Sequence, residues 1–88
     1  MEKGFYNLQK AKSNFEHAIQ INDKYSLGNY NLNYHVLAYV GLGNVALEMN
    51  KFDEAEANHK IALSLSNNIS EKIQSYMNLA TVDFAQKV

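Results

Sequence analysis

The feature that most constrains the fold is an internal repetition of apolar and small residues at helical spacing. Five residues near the start of the chain recur with the same spacing 44 positions later. The first set is Leu8, Ala11, Phe15, Ala18 and Ile19, and the second is Phe52, Ala55, His59, Ala62 and Leu63. Steps of three and four residues place side chains on one stripe of an α-helix. The repetition therefore predicts two helices of the same kind.

A second repetition predicts another pair of helices. The stretch "YVGLGNV" from Tyr39 matches "YMNLATV" from Tyr76, which lies 37 positions further along. The two kinds of helix alternate along the chain, an order typical of stacked helix pairs. Small residues at Gly43, Ala55 and Ala62 let such helices approach closely, whereas a simple four-helix bundle would place larger side chains at most of these positions.

Few residues interrupt the helical pattern, since the chain has no proline and only four glycines. We predict one all-α domain over 1–88, a short α-solenoid that is either complete or an excerpt of a longer array. Its four helices are expected at about 5–25, 30–49, 52–66 and 69–87. Gly28 is a plausible stop for the first, and Asn68 with Glu71 forms a capping box for the fourth. Residues 26–35 can be read as loop or helix, and the spacing favours helix from Tyr30.

Composition excludes several kinds of function. The net charge is -1 and the basic residues form no block, so a nucleic-acid partner is not expected. Without cysteine the chain can form neither disulfides nor thiolate zinc sites. Its first residues lack the apolar core of a signal peptide, and no run approaches the roughly 20 apolar residues of a membrane helix. We therefore expect a cytoplasmic location and no membrane partner.

Catalytic chemistry has little support in the sequence. None of the three histidines has a second metal ligand three or four residues later, and His59 is expected to be a core or rim residue with a satisfied hydrogen bond. Asp53, Glu54 and Glu56 suit the start of a helix better than an acid–base pair. Gly41 and Gly43 lie within a helical pattern rather than in a phosphate-binding loop. We predict no enzyme, no cofactor and no metal.

Residues 36–69 resemble the tetratricopeptide repeat (TPR), a helix pair of 34 residues. The resemblance rests on the first-helix residues Tyr39, Leu42, Gly43 and Ala46, on "KFDEA" at the turn, and on Ala62 in the second helix. His59 replaces the usual aromatic residue, Ala46 the usual tyrosine, and Asn67 the frequent proline. The first segment is similar to the second helix of a preceding repeat, and the fourth to the first helix of a following one.

This resemblance implies a concave groove, lined by the first helices of the pairs, that binds an extended or helical peptide. The corresponding positions here are Leu37, Val40, Asn44, Leu47, Glu48, Gln74, Met77, Thr81 and Phe84. Asn44 matches the family's groove asparagine, whose amide can donate and accept hydrogen bonds. Met77 and Thr81 stand where chaperone-binding members carry cations that hold a carboxylate, so an apolar or mixed peptide is expected.

A further apolar surface suggests self-association. On a helical wheel of the fourth segment, Leu79 and Val82 fall outside the arc shared by Ile73, Tyr76, Met77, Ala80 and Phe84. We expect Leu79 and Val82 to be covered either by a further helix or by another copy in a homodimer. Two alternatives to a peptide-binding scaffold thus stay open: a structural oligomerisation module, and a peptide-sensing fragment of a larger bacterial regulator.

Overall fold

The computed structural model describes the backbone of residues 2–24 and 32–87, and the side chains of 7–21, 23, 24 and 34–87. Four α-helices account for most of these residues: α1 (Glu2–Lys24), α2 (Leu32–Glu48), α3 (Phe52–Leu65) and α4 (Ile69–Lys87). No strand occurs in the described ranges. The predicted all-α class is therefore confirmed.

Helix boundaries differ from the predicted ones by a few residues. α4 has the predicted bounds, while α2 and α3 each end one residue earlier than predicted. α1 begins at Glu2 and runs through Gly4, because a single glycine costs a helix only about 1 kcal/mol. The predicted helix start at Tyr30 and the predicted stop at Gly28 both lie outside the described residues.

Each helix packs against the next one along the chain, so α2 lies between α1 and α3. The α1–α2 pair is antiparallel: Phe15 lies against Gly41, and Asp23, close to the end of α1, bonds His35 near the start of α2 at 2.8 Å. An ion pair between Lys12 Nζ and Glu54 Oε2 at 3.3 Å joins α1 to α3. α1 and α3 therefore both pack on α2 and also contact each other.

The position of α2 explains its composition. No residue from 36 to 47 is charged, because neighbouring helices cover this helix on two sides and an apolar surface must face each of them. Its buried residues are Val36, Ala38, Leu42, Gly43, Val45 and Ala46. Ala46 meets Ala55 of α3 and Val82 of α4 in one cluster, against which Leu47 and Phe52 pack. This cluster is where three helices meet.

Small residues lie at the helix contacts, as the sequence predicted. Ala55 and Ala62 of α3 are 0% exposed. A Cβ atom on Gly43 would fall 2.5 Å from Nε2 of His59, and one on Gly41 would collide with the ring of Phe15. Glycine fits at both positions because a neighbouring ring occupies the space of a side chain.

The α2–α3 junction is the turn predicted between residues 49 and 52, and it contains a left-handed residue that was not predicted. Asn50 has a φ of 61°, the left-handed conformation that usually follows a helix end. Its amide donates to the carbonyl of Leu47 at 3.0 Å, and that of Lys51 donates to Ala46 at 2.8 Å. This is the Schellman pattern of hydrogen bonds, with asparagine at the place usually held by glycine.

The capping box predicted at the start of α4 is confirmed. The amide of Glu71 donates to Oδ1 of Asn68 at 2.8 Å. In return, Oε1 of Glu71 accepts from the amide of Asn67 at 3.1 Å, one residue before the usual donor of a capping box. The side chain of Asn68 thus acts as the helix cap.

The predicted oligomer interface at Leu79 and Val82 is wrong for Val82. Val82 is 0% exposed and belongs to the core cluster with Ala46 and Ala55, while Leu79 is half-buried. Leu79 and Val82 lie on the side of α4 that faces α3, so the packed and open sides of this helix are the reverse of those expected. The helical wheel showed where apolar residues cluster but not which cluster meets a neighbour.

In the described part of the chain, no helix combines the length and the apolar character needed to cross a membrane.

Candidate binding surface on α2 and α4

Three different faces divide the circumference of α4. One face packs on α3 and includes Ser75, Leu79 and Val82. Successive residues are rotated by roughly 100° around the helix, which places the predicted groove set of Gln74, Met77, Thr81 and Phe84 on a second face. The third, which we name the outer face of α4, consists of Ile73, Tyr76, Ala80 and Asp83. The groove set and the outer face are both exposed.

The structure places the nine predicted groove residues on matching faces of α2 and α4, which we name the groove face. Four of them on α2 correspond to four on α4 at the repeat distance of 37 positions: Leu37 to Gln74, Val40 to Met77, Asn44 to Thr81, and Leu47 to Phe84. Large apolar side chains stand in solvent on this face, with Leu37 65%, Met77 60% and Phe84 73% exposed. Val40 and Leu47 are half-buried.

The polar members of the groove face differ in how free they are to bind a ligand. The hydroxyl of Thr81 donates to the carbonyl of Met77 at 3.0 Å, and Nε2 of Gln74 donates to Asn78 at 3.3 Å. Asn44 is exposed, and its amide has no hydrogen-bond partner among the described residues. Of these three side chains, Asn44 keeps its full donor and acceptor capacity for a ligand.

Leu47 has a second role that the sequence did not predict. It packs against the cluster of Ala46, Ala55 and Val82, so only part of its side chain is available to a ligand. By the same contact, Leu47 brings the C-terminal half of α2 close to α4. The groove face is therefore continuous with the core at this point.

None of the predicted residues lines the pocket of about 630 Å³ at the α2–α3 junction. This pocket is bounded by Asn50, Lys51, Phe52, Asp53, Glu54 and Gln86. It is a wide depression around the start of α3 rather than an enclosed cavity. The groove face is therefore the stronger candidate for a binding surface.

Three buried side-chain atoms of α3 and α4 lack hydrogen-bond partners. They are Nδ1 of His59, Oγ of Ser75 and Nδ2 of Asn78, none of which forms a hydrogen bond to a described residue. The expectation that His59 is a core residue is confirmed, because it is 1% exposed. The expectation of a satisfied hydrogen bond is wrong for Nδ1. Burial also lowers the pKa of His59 below its ordinary value of 6.5.

The internal repetition shows which residues stand at the equivalent positions of α1 and α2. His59 corresponds to Phe15, and Asn78 corresponds to Gly41. Phe15 lies against Gly41 between α1 and α2, and the equivalent positions of α3 and α4 carry histidine and asparagine instead.

Comparisons with protein-family models, with curated proteins and with solved structures found no match to this chain. The similarity to the tetratricopeptide repeat therefore rests on the residues quoted above.

Metal ligands do not cluster in the described residues, where no group of three or more His, Asp or Glu side chains could hold an ion.

Proposed function

We propose that this chain is a non-catalytic TPR-like module that binds a peptide of apolar or mixed composition on its groove face. The observation that carries the proposal is the match between α2 and α4. Both helices present exposed residues at corresponding positions, and the set includes the large apolar side chains of Leu37, Met77 and Phe84. Exposed apolar residues that cluster on one surface are typical of interaction sites.

The residues of the groove face indicate the chemistry of the ligand. Glu48 is the only charged member, so strong electrostatic selection of an acidic or basic peptide is not expected. Leu37, Met77 and Phe84 can receive apolar side chains, and the flexible thioether of Met77 adapts to different shapes. The amide of Asn44 can donate to one backbone group of the peptide and accept from another.

A selection from a displayed library of random peptides tests this proposal. The full chain serves as target, and the binding of enriched peptides is then measured by fluorescence polarisation. Met77→Asp should weaken binding by at least about tenfold, because the peptide's apolar group would meet a charge. Asn44→Ala should weaken it by about fivefold, the loss of roughly 1 kcal/mol of hydrogen bonding.

Ser13→Asp is the matched control, since Ser13 is exposed on α1, away from the groove face. It should leave the affinity unchanged. If no peptide is enriched, or if enriched peptides bind Met77→Asp as tightly as the original chain, the groove face is not a peptide site.

A further inference from the structure

The outer face of α4 is the counterpart of a face that is covered on α2. Val36 of α2 is 5% exposed, whereas the corresponding Ile73 of α4 is 54% exposed. Gly43 is buried under His59, but the corresponding Ala80 is exposed. On α2 it is α3 that covers this face, so the outer face of α4 has the shape of a site for an antiparallel helix of the α3 kind.

α1 presents the complementary open surface. Its sequence repeats that of α3, yet Ala62 of α3 is 0% exposed while the corresponding Ala18 is exposed. Similarly, Leu65 is half-buried and the corresponding Ile21 is 51% exposed. We name this surface the open face of α1, and it consists of Lys10, Asn14, Ala18 and Ile21.

We propose that copies of this chain associate head to tail, with the outer face of α4 in one copy docking antiparallel on the open face of α1 in the next. The contact would repeat the α2–α3 pairing between two molecules. In that pairing Gly43 lies level with His59. Moving by the two repeat distances places Ala80 level with Phe15 of the second copy. Because alanine replaces glycine, the two helices stand slightly further apart at this point.

Charge complementarity selects this partner. Asp83 stands on the outer face at the position where α2 has the buried Ala46. In the same register, Asp83 lies about 3 Å along the axis from Lys10 of the second copy, two residues at 1.5 Å each. Asp83 and Lys10 are exposed and have no ion-pair partner among the described residues. A charge that would be misplaced inside a continued apolar core thus has an opposite charge at nearly the same level of the contact.

The two docking surfaces differ, so the contact is heterologous and does not close on itself within a dimer. Each added copy leaves a free outer face at one end and a free open face at the other. The mean mass should therefore keep rising with concentration instead of reaching a plateau at two copies. The groove faces of successive copies would lie side by side in the growing array.

Light scattering on the full chain, across a concentration series to the millimolar range, tests the proposal with two single variants. Tyr76→Asp blocks the outer face, and Ala18→Arg blocks the open face. Tyr76 is 62% exposed and Ala18 is exposed, so both variants should fold, which circular dichroism verifies. Each variant alone should be monomeric. Mixed together, they should form a one-to-one heterodimer that cannot grow, because each supplies the surface that the other has lost.

A charge reversal gives an independent test of the register. Asp83→Lys and Lys10→Asp should each lower the association constant by about tenfold, and the double variant should regain most of that loss. Thr81→Glu on α4 and Ser13→Asp on α1 are matched controls at exposed positions outside the two faces, and both should associate like the original chain.

Three results would overturn the proposal. The original chain could remain monomeric at millimolar concentration. Ala18→Arg could still dimerise, which would mean that α4 pairs with α4. Equal amounts of the two blocked variants could fail to bind each other although both are folded.

Discussion

The imidazole ring of His59 lies directly against the backbone of Gly43, at a distance that leaves no space for a methyl group between α2 and α3. Both residues are buried, and His59 is only 1% exposed. The ring therefore sets the separation of the two helices at this level. The smallest residue and one of the largest buried side chains form a single contact, which explains why glycine occurs inside a helix here.

Substitution of Gly43 tests this contact. Gly43→Ala should lower the free energy of unfolding by about 1–2 kcal/mol, because overpacking a buried contact costs more than alanine's helix propensity returns. Urea unfolding followed by circular dichroism measures the change. His59→Ala in the same molecule should remove the clash, so the double variant should show a favourable coupling energy.

Gly41→Ala is the comparison within the same helix. A Cβ atom there would meet the ring of Phe15, which is only half-buried and can turn away. This variant should lose less stability than Gly43→Ala. An equal or larger loss at Gly41 would contradict the assignment of His59 as the fixed side of its contact.

The pH dependence of stability should depend on His59. Since burial lowers the pKa of His59 in the folded state, the unfolded chain binds more protons when the pH falls below its ordinary value of 6.5. The stability that the neutral His59 ring contributes is fully present above pH 6.5. It should be lost as the pH falls from there through the lower pKa of the folded state. Urea unfolding at several pH values between about 5 and 8 measures the slope.

His59→Phe is the matched control, because phenylalanine stands at the corresponding position 15. It should flatten the loss of stability at acidic pH, because phenylalanine has no ring nitrogen to protonate. Equal slopes for the two proteins would show that His59 does not govern the acidic limb.

The buried hydroxyl of Ser75 should cost stability. Its Oγ has no hydrogen-bond partner among the described residues, and alanine stands at the corresponding position 38. Ser75→Ala should raise the free energy of unfolding by about 1 kcal/mol, since it removes an unsatisfied polar group and improves helix propensity. Ser64→Ala is the control: the hydroxyl of Ser64 is exposed and bonds Ile61 at 2.7 Å. A loss of stability in Ser75→Ala would indicate a hydrogen bond at Oγ.

Substitutions at Val82 and Tyr76 distinguish the packed side of α4 from its open side. Val82→Asp places a charge in the core cluster and should cost more than about 4 kcal/mol, enough to unfold a domain of this size. Tyr76→Asp, at a position 62% exposed, should keep the helical circular dichroism of the original chain. If Val82→Asp folds normally, α4 does not pack on α3 through Val82.

Much of this fold could be predicted from local sequence. The three-four spacing indicated four helices, the two repeat distances indicated their alternation, and Asn68 with Glu71 marked the start of α4. These features depend on neighbours within one or two helical turns, where spacing and hydrogen bonding are nearly independent of the rest of the chain.

The orientation of α4 could not be read from its own pattern. Apolar residues occupy two separate arcs of this helix, and periodicity does not tell which arc meets a neighbour. The repeat distance held the missing signal, because Val82 corresponds to Val45, which is buried on α2. The missing hydrogen bond at Nδ1 of His59 could likewise not be predicted, since residues on other helices surround this atom.

For the groove face, the sequence indicated positions that are mostly exposed in the structure, but it did not indicate that Leu47 is half-buried. Its half-buried state arises from contact with the core cluster, which involves three helices. The assignment of a peptide to this face stays a prediction.

The measurement that most directly tests head-to-tail docking is an amide NMR spectrum of the full chain over a dilution series. If the outer face of α4 docks on the open face of α1, the signals of Ile73, Tyr76 and Ala80 should shift together with those of Asn14 and Ala18. Signals around Asn44, on the groove face of α2, should stay in place. Shifts confined to α4, or no shifts at any concentration, would contradict head-to-tail docking.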